Sequence, residues 1–247
     1  MWKPDLRSII QRQPSLRILT LLTAILFLIG GCKRVDNEQP NNMRDAENVQ
    51  TFSEQASAQI IMKDSRPVIA CYGDSLTAGY GLDADATYPT NLQHLLDDSG
   101  YHYRVVNLGI SGDTTKDGLA RIDRVLALHP AIAVVEFGGN DGLRGIPIAN
   151  SRENLDFILA KLTHGDMKVA LAGITLPPQY GAQYIQQFNE TYAILAKKYS
   201  VPLLPFVLKD TYGVSGSIQN DGIHPTAQGA QQVAKNIYTL IHPLLKK

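Results

Sequence analysis

The chain has 247 residues, 44% of them hydrophobic and 19% charged, and its 23 basic residues balance 23 acidic ones. That length accommodates one sizeable α/β domain, or at a stretch two small ones. With no basic excess, nucleic acid is not an expected partner. In chain order, Lys3, Arg7, Arg12 and Arg17 make a basic start, followed by an apolar run from Ile18 to Ile29 broken only by Thr20 and Thr23. The run is short for a membrane-spanning helix, which needs roughly 20 apolar residues. It fits the apolar region of a secretory signal.

The run ends in Ile29-Gly30-Gly31-Cys32, small residues before a cysteine, and this resembles a bacterial lipobox. The resemblance implies a lipoprotein signal peptide over 1–31, with Cys32 lipidated as the first residue of the mature chain. A plain anchor helix with an incidental cysteine is the other reading. Both put the body of the protein outside the cytoplasm, in the bacterial periplasm, tied to a membrane. Losing four basic residues and Asp5 leaves 19 basic against 22 acidic, a net charge of about −3. Lys33, rather than Asp, follows the cysteine, which in a Gram-negative cell implies delivery to the outer membrane. The other cysteine, Cys71, lies in an apolar run and reads as a buried packing thiol. No disulfide framework and no zinc spacing is available, and neither a metal nor an organic cofactor is implied.

Residues 32–66 are polar and poor in aromatics, which reads as a lipid-anchored flexible tether with a weak helix near Glu54–Met62. The 34 residues after Cys32 span about 30 Å as a coil, enough to hold a domain clear of lipid headgroups. The folded domain is expected over 67–247. Apolar runs at Pro67–Gly73, Tyr103–Asn107, Ala131–Phe137, Lys168–Gly173 and Pro202–Phe206 read as strands. Helical spacing appears at Tyr88–Ser99, Thr114–Leu128, Asn150–His164, Ala182–Tyr199 and Pro225–Leu245, the last with proline at its first position. Near-continuous apolar strands alternating with helices predict a three-layer α/β/α sandwich around a five-stranded parallel sheet.

Ligands of such sheets bind at the carboxyl ends of the strands. There the chain carries Gly73-Asp74-Ser75-Leu76, then Asn107 to Asp113, then Gly138-Gly139-Asn140-Asp141, and finally Asp221-Gly222-Ile223-His224-Pro225. These four blocks, in this order, closely resemble the SGNH (GDSL) hydrolase family, a flavodoxin-like fold. Within it they are most similar to the bacterial periplasmic thioesterase/lysophospholipase/arylesterase subgroup, and the likeness covers the whole domain. The resemblance implies Ser75 as nucleophile, Gly112 and Asn140 as the family's glycine and asparagine, His224 as base and Asp221 as its acid partner. The G-x-S-x-G elbow of the α/β-hydrolases is absent.

The chemistry of these residues agrees. A serine hydroxyl needs an adjacent base, and His224 is the histidine that the topology brings to this rim. Asp221, in a glycine turn three residues earlier, can reach the other ring nitrogen. The amides of Ser75 and Gly112 with the Asn140 side chain supply an oxyanion hole. Asp74, Asp113 and Asp141 read as loop-holding residues. Leu176, Pro177 and Tyr180 are expected to wall an acyl pocket, and the loop from Gly142 to Pro147, with Leu143, to form a second, mobile wall; both segments also read as ordinary loops. The expected activity is hydrolysis of acyl esters, thioesters or lysophospholipids through an acyl-Ser75 intermediate, by a monomer. A carbohydrate or peptidoglycan O-acetyl esterase is the alternative enzyme, a non-catalytic binding lipoprotein or a flavodoxin-like nucleotide binder the alternatives of another class.

Overall fold

All five apolar runs become strands, and the three interior ones are covered by helices on both faces, which is why they do not alternate with polar residues. The strands are β1 (Val68–Gly73), β2 (Arg104–Asn107), β3 (Ile132–Glu136), β4 (Lys168–Ala172) and β5 (Leu203–Leu204). All pair in parallel, in the order β2-β1-β3-β4-β5. β1 is buried at every position, whereas β2 and β5, at the two edges, are half-buried. The structure, a computed structural model, describes residues 64–247. The signal peptide, Cys32, the tether as far as residue 63 and the helix expected near Glu54–Met62 lie outside the described residues.

Between the strands run α1 (Ser75–Ala78), α2 (Tyr88–Asp98), α3 (Thr115–Ala120), α4 (Asp123–Leu126), α5 (Gly139–Leu143), α6 (Ile148–Leu162), α7 (Ala182–Tyr199) and α8 (Ala227–Ile241). Helices α2 and α8 pack together on one face of the sheet; α3, α6 and α7 form the other layer. Leu92, Ile158 and Ile237 meet Ile69, Val134 and Leu171 in the core, all fully buried. The expected three-layer sandwich is therefore the fold. Cys71 is a free thiol with no exposure, and burial pushes its ionisation up to about 12.

Several boundaries differ from the sequence reading. The single helix expected over Thr114–Leu128 is two, α3 and α4. The break falls at Arg121, whose guanidinium turns inward to Asp113 (2.6 Å) and to the carbonyls of Leu108 and Gly73 (2.7 and 2.8 Å). Pro225 does not open the last helix. Its backbone bridges to Ile218, and Thr226 caps α8 through the Gly229 amide. The helix expected over Asn150–His164 starts and ends two residues earlier. At the domain entry Arg66 is already engaged, paired with Asp64 at 2.7 Å and donating to the Tyr103 carbonyl.

Candidate active site

The strand order reverses direction between β1 and its neighbours β2 and β3, and such a switch point opens a crevice at the carboxyl ends of the strands. Ser75 follows β1 and Asn140 follows β3, so topology alone sets these two side by side. Asp74 ends the strand run and caps α1, its Oδ1 accepting from the Leu76 amide at 3.1 Å. Ser75 therefore sits in the first turn of α1, and the turn closes at Gly79 in a left-handed conformation (φ 80°).

His224 arrives from the far end of the chain on a loop tied at both sides. The Gln219 amide donates to the His224 carbonyl (2.7 Å), and the Gln219 side chain donates to the carbonyls of Tyr80 and Pro225 (2.8 Å each). Gln219 thus joins the histidine loop to the segment after Ser75. The turn itself is built by Asp221, whose Oδ1 accepts from the amides of Ile223 and His224 at 2.9 and 3.0 Å. Its Oδ2 lies 2.7 Å from His224 Nδ1, while His224 Nε2 lies 2.8 Å from Ser75 Oγ. The Tyr80 ring packs against the imidazole at 4.6 Å between centroids. Burial raises the Asp221 carboxyl, but the His224 and Ile223 amides and the imidazole outweigh it, and its pKa falls below the ordinary value. A hydroxyl, an imidazole and a carboxylate in one hydrogen-bonded series give a nucleophile, a general base and a group that fixes the tautomer of that base.

The expected oxyanion donors meet at the same place: Ser75, Gly112 and Asn140 all line one cavity with His224. Asn140 Nδ2 donates to the Asp113 carbonyl (3.0 Å) and to Asp74 Oδ2 (3.3 Å). Gly112 adopts φ 88°, a conformation that favours glycine, and its carbonyl accepts from Arg144 at 2.9 Å. A Cβ there meets only the Arg144 side chain, at 3.7 Å, so dihedral freedom rather than crowding is what position 112 requires.

The cavity holds about 460 Å³ and is mostly apolar. Leu143, Leu176 and Pro177 line it as expected. Tyr180 does not; its hydroxyl donates to the Leu143 carbonyl at 3.0 Å, holding the two loops together from behind. Ile174, Phe206, Leu208 and Tyr212 line it without having been anticipated. They come from irregular segments after β4 and β5, where no periodicity marks a facing side chain. Gln219 and Tyr80 were missed for the same reason, and Arg121 because it falls inside the helix expected over Thr114–Leu128. Asp113 and Asp141 do hold loops: Asp113 pairs with Arg121, and Asp141 accepts from the Thr115 amide (2.9 Å), the Thr115 hydroxyl (2.6 Å) and the Ser151 hydroxyl (2.9 Å). Among the other histidines, His102, His129 and His164 line a separate hollow beside Pro67 and Lys168, at the amino ends of the strands.

The fold and this constellation define a hydrolase of the acyl-transfer type. Residues 71–232, more than half of the chain, match the model of the GDSL-like Lipase/Acylhydrolase family. The chain belongs to that family and is an ester and thioester hydrolase. It is 42% identical over 195 residues to a protein named Esterase TesA from Pseudomonas aeruginosa, covering 78% of this chain and 93% of that one. To Thioesterase 1/protease 1/lysophospholipase L1 of Escherichia coli K12 it is 39% identical over 175 residues, 70% of this chain and 82% of the other. Among solved structures, the psychrotrophic esterase EstA from Pseudoalteromonas sp., inhibited by monoethylphosphonate, is 30% identical with a TM-score of 0.68, covering 71% of this chain and 97% of that one.

Proposed function

We propose that the protein cleaves fatty-acyl and aryl esters, acyl thioesters and lysophospholipids through an acyl-Ser75 intermediate. The carrying observation is the series Asp221–His224–Ser75, with contacts of 2.7 and 2.8 Å, at the mouth of a 460 Å³ apolar cavity. Ser75 Oγ attacks the carbonyl carbon while His224 Nε2 takes its proton. The negative oxygen of the tetrahedral intermediate is met by the amides of Ser75 and Gly112 and by Asn140, each such donor contributing about 3 kcal/mol. Collapse expels the alcohol or thiol, protonated by His224. Water, deprotonated by the same imidazole, then releases the acid and frees Ser75. Asp221 keeps Nδ1 protonated throughout and stabilises the imidazolium.

The apolar walls from Leu143, Leu176 and Pro177 favour an acyl chain over an acetyl group on a sugar, and the intact relay favours an enzyme over a binding lipoprotein. The names of the relatives, esterase and thioesterase/lysophospholipase, point to the same substrates, and the phosphonate-inhibited esterase is consistent with a reactive serine. The lipobox-like Ile29-Gly30-Gly31-Cys32 supports a periplasmic lipoprotein anchored through Cys32, with its substrate-bearing lipids close at hand. A fluorophosphonate probe followed by peptide mass spectrometry tests the nucleophile. Stoichiometric modification of Ser75, absent in the Ser75→Ala variant, is expected; modification elsewhere, or none, contradicts the proposal. Globomycin-sensitive processing and labelling of Cys32 with a fatty-acid analogue test the anchor.

A further inference from the structure

An apolar strand rarely ends in a charge with no counter-ion, yet β3 ends in Glu136, which has no exposure at all. Its Oε2 accepts from the Thr77 hydroxyl at 2.9 Å, and that hydroxyl in turn lies 3.0 Å from the Tyr88 hydroxyl. Its Oε1 has no partner able to donate. Glu136 is opposite Gly73 in the register of β1 and β3, so the residue following Gly73, the buried Asp74, comes to lie against it. Both side chains are buried, and Glu136 Oε2 lies so close to Gly73, the residue before Asp74, that a Cβ there would meet it at 2.7 Å. Among the described residues neither has a lysine or arginine within ion-pair distance.

Two adjacent buried carboxyl groups without a cation do not both ionise, because each charge opposes the other in a low dielectric. The pair shares one proton. Glu136 is the better holder. Burial and the neighbouring Asp74 charge push it well above the ordinary value, and the groups facing it, Thr77, Tyr88 and Asp74, include no cation. Asp74 is raised by burial only to about 6, because the Leu76 amide, the His224 imidazole and the Asn140 amide all favour its charged form. Asp74 in turn touches both halves of the catalytic apparatus, capping the helix of Ser75 through Oδ1 and holding Asn140 Nδ2 through Oδ2.

We propose that Glu136 is a positioning residue: as a neutral acid it donates a hydrogen bond to the Asp74 carboxylate, which fixes the Ser75 turn and holds Asn140 Nδ2 beside the oxyanion site, where the long 3.3 Å bond to Asp74 gives way to the oxyanion as its charge forms. This rests on the serine-hydrolase reading above. No proton of Glu136 enters the reaction; its function is to keep Asp74 charged, single in orientation and unable to swing away from Asn140. A glutamine at 136 presents a donor of similar shape, whereas leucine removes it.

The test compares wild type, Glu136→Gln, Glu136→Leu and Ser75→Ala on p-nitrophenyl butyrate. Leucine is expected to lower kcat by about tenfold to a hundredfold with KM unchanged, less than outright loss of an oxyanion donor. Glutamine is expected to restore most of that loss. An infrared difference spectrum of wild type minus Glu136→Gln at neutral pH carries the carbonyl stretch of a protonated carboxylic acid, and this reading stands even where the leucine variant does not fold. Wild-type kcat in the leucine variant, a change confined to KM, a glutamine variant as impaired as leucine, or no acid carbonyl band overturns the positioning role and leaves the hydrolase reading intact. Full activity in Ser75→Ala instead overturns the hydrolase reading itself.

Discussion

Replacing Asp221 by asparagine tests the relay at the point where geometry makes the sharpest demand. Asp221 Oδ1 accepts from two backbone amides, at 2.9 and 3.0 Å, and Oδ2 faces His224 Nδ1 at 2.7 Å. Asparagine keeps the turn by leaving its carbonyl oxygen on the two amides. Its NH2 group then faces Nδ1 and forces that nitrogen to be an acceptor. The ring proton moves to Nε2, pointed at Ser75 Oγ, and the base is lost without any displacement of the backbone. In serine proteases the same exchange of tautomer costs about 10⁴-fold in kcat. The Asp221 side chain here is 37% exposed, so water relieves part of the mismatch. A loss of about 10³-fold is expected, equivalent to about 4 kcal/mol of transition-state stabilisation. Steady-state kinetics on p-nitrophenyl butyrate, beside circular dichroism to verify the fold, read it out. A loss below tenfold with the fold intact refutes the assigned role of Asp221.

Asn140→Ala removes one oxyanion donor and is expected to lower kcat by about 10²- to 10³-fold with little change in KM, measured on the same ester. Gly109→Ala sets a Cβ 2.1 Å from the Ala78 nitrogen and 2.6 Å from its Cα, backbone atoms of the segment carrying Ser75 that have no rotamer to yield. A destabilisation of about 3 kcal/mol is expected in urea titration, and tolerance of the substitution contradicts the described packing. The buried acids give a pH dependence of opposite sign to the usual carboxylate. Because the native Glu136 binds its proton more tightly than the unfolded chain, its contribution to stability is fully present below about pH 4.5, the ordinary glutamate value, and is lost as pH rises from there toward the raised native value. Asp74 adds to the fall between its ordinary value of 3.8 and about 6. Glu136→Gln is therefore expected to raise Tm more at pH 8 than at pH 5; an equal shift at both refutes a protonated Glu136.

The strands and the site blocks were legible because each has a chemical signature in the chain itself. Val68–Gly73 and Ile132–Glu136 are continuous apolar runs, and the residues needed at their ends are few and unusual in type. Less legible was whatever depends on where a long side chain goes. Arg121 reads as one more position of an amphipathic helix, yet it turns into the carboxyl end of the sheet and splits that helix. Pro225 has the local chemistry of a helix start, but a bridge to Ile218 uses its backbone first. Tyr180 was expected to face substrate, and the Leu143 carbonyl draws its hydroxyl away. Phe206, Leu208 and Tyr212 reach the cavity from irregular backbone, where spacing carries no directional information. Glu136 was visible as a carboxylate inside an apolar run, a signal whose meaning depends on Asp74 lying beside it across the sheet.

The most direct test of the central claim is the hydrolysis of p-nitrophenyl esters from acetate to palmitate, and of acyl thioesters, by the purified protein and its Ser75→Ala variant. The account predicts turnover of medium-chain esters and thioesters by the wild type and a loss of at least about 10³-fold in the folded variant. Equal turnover by both proteins, or none by the wild type on any acyl substrate, contradicts it.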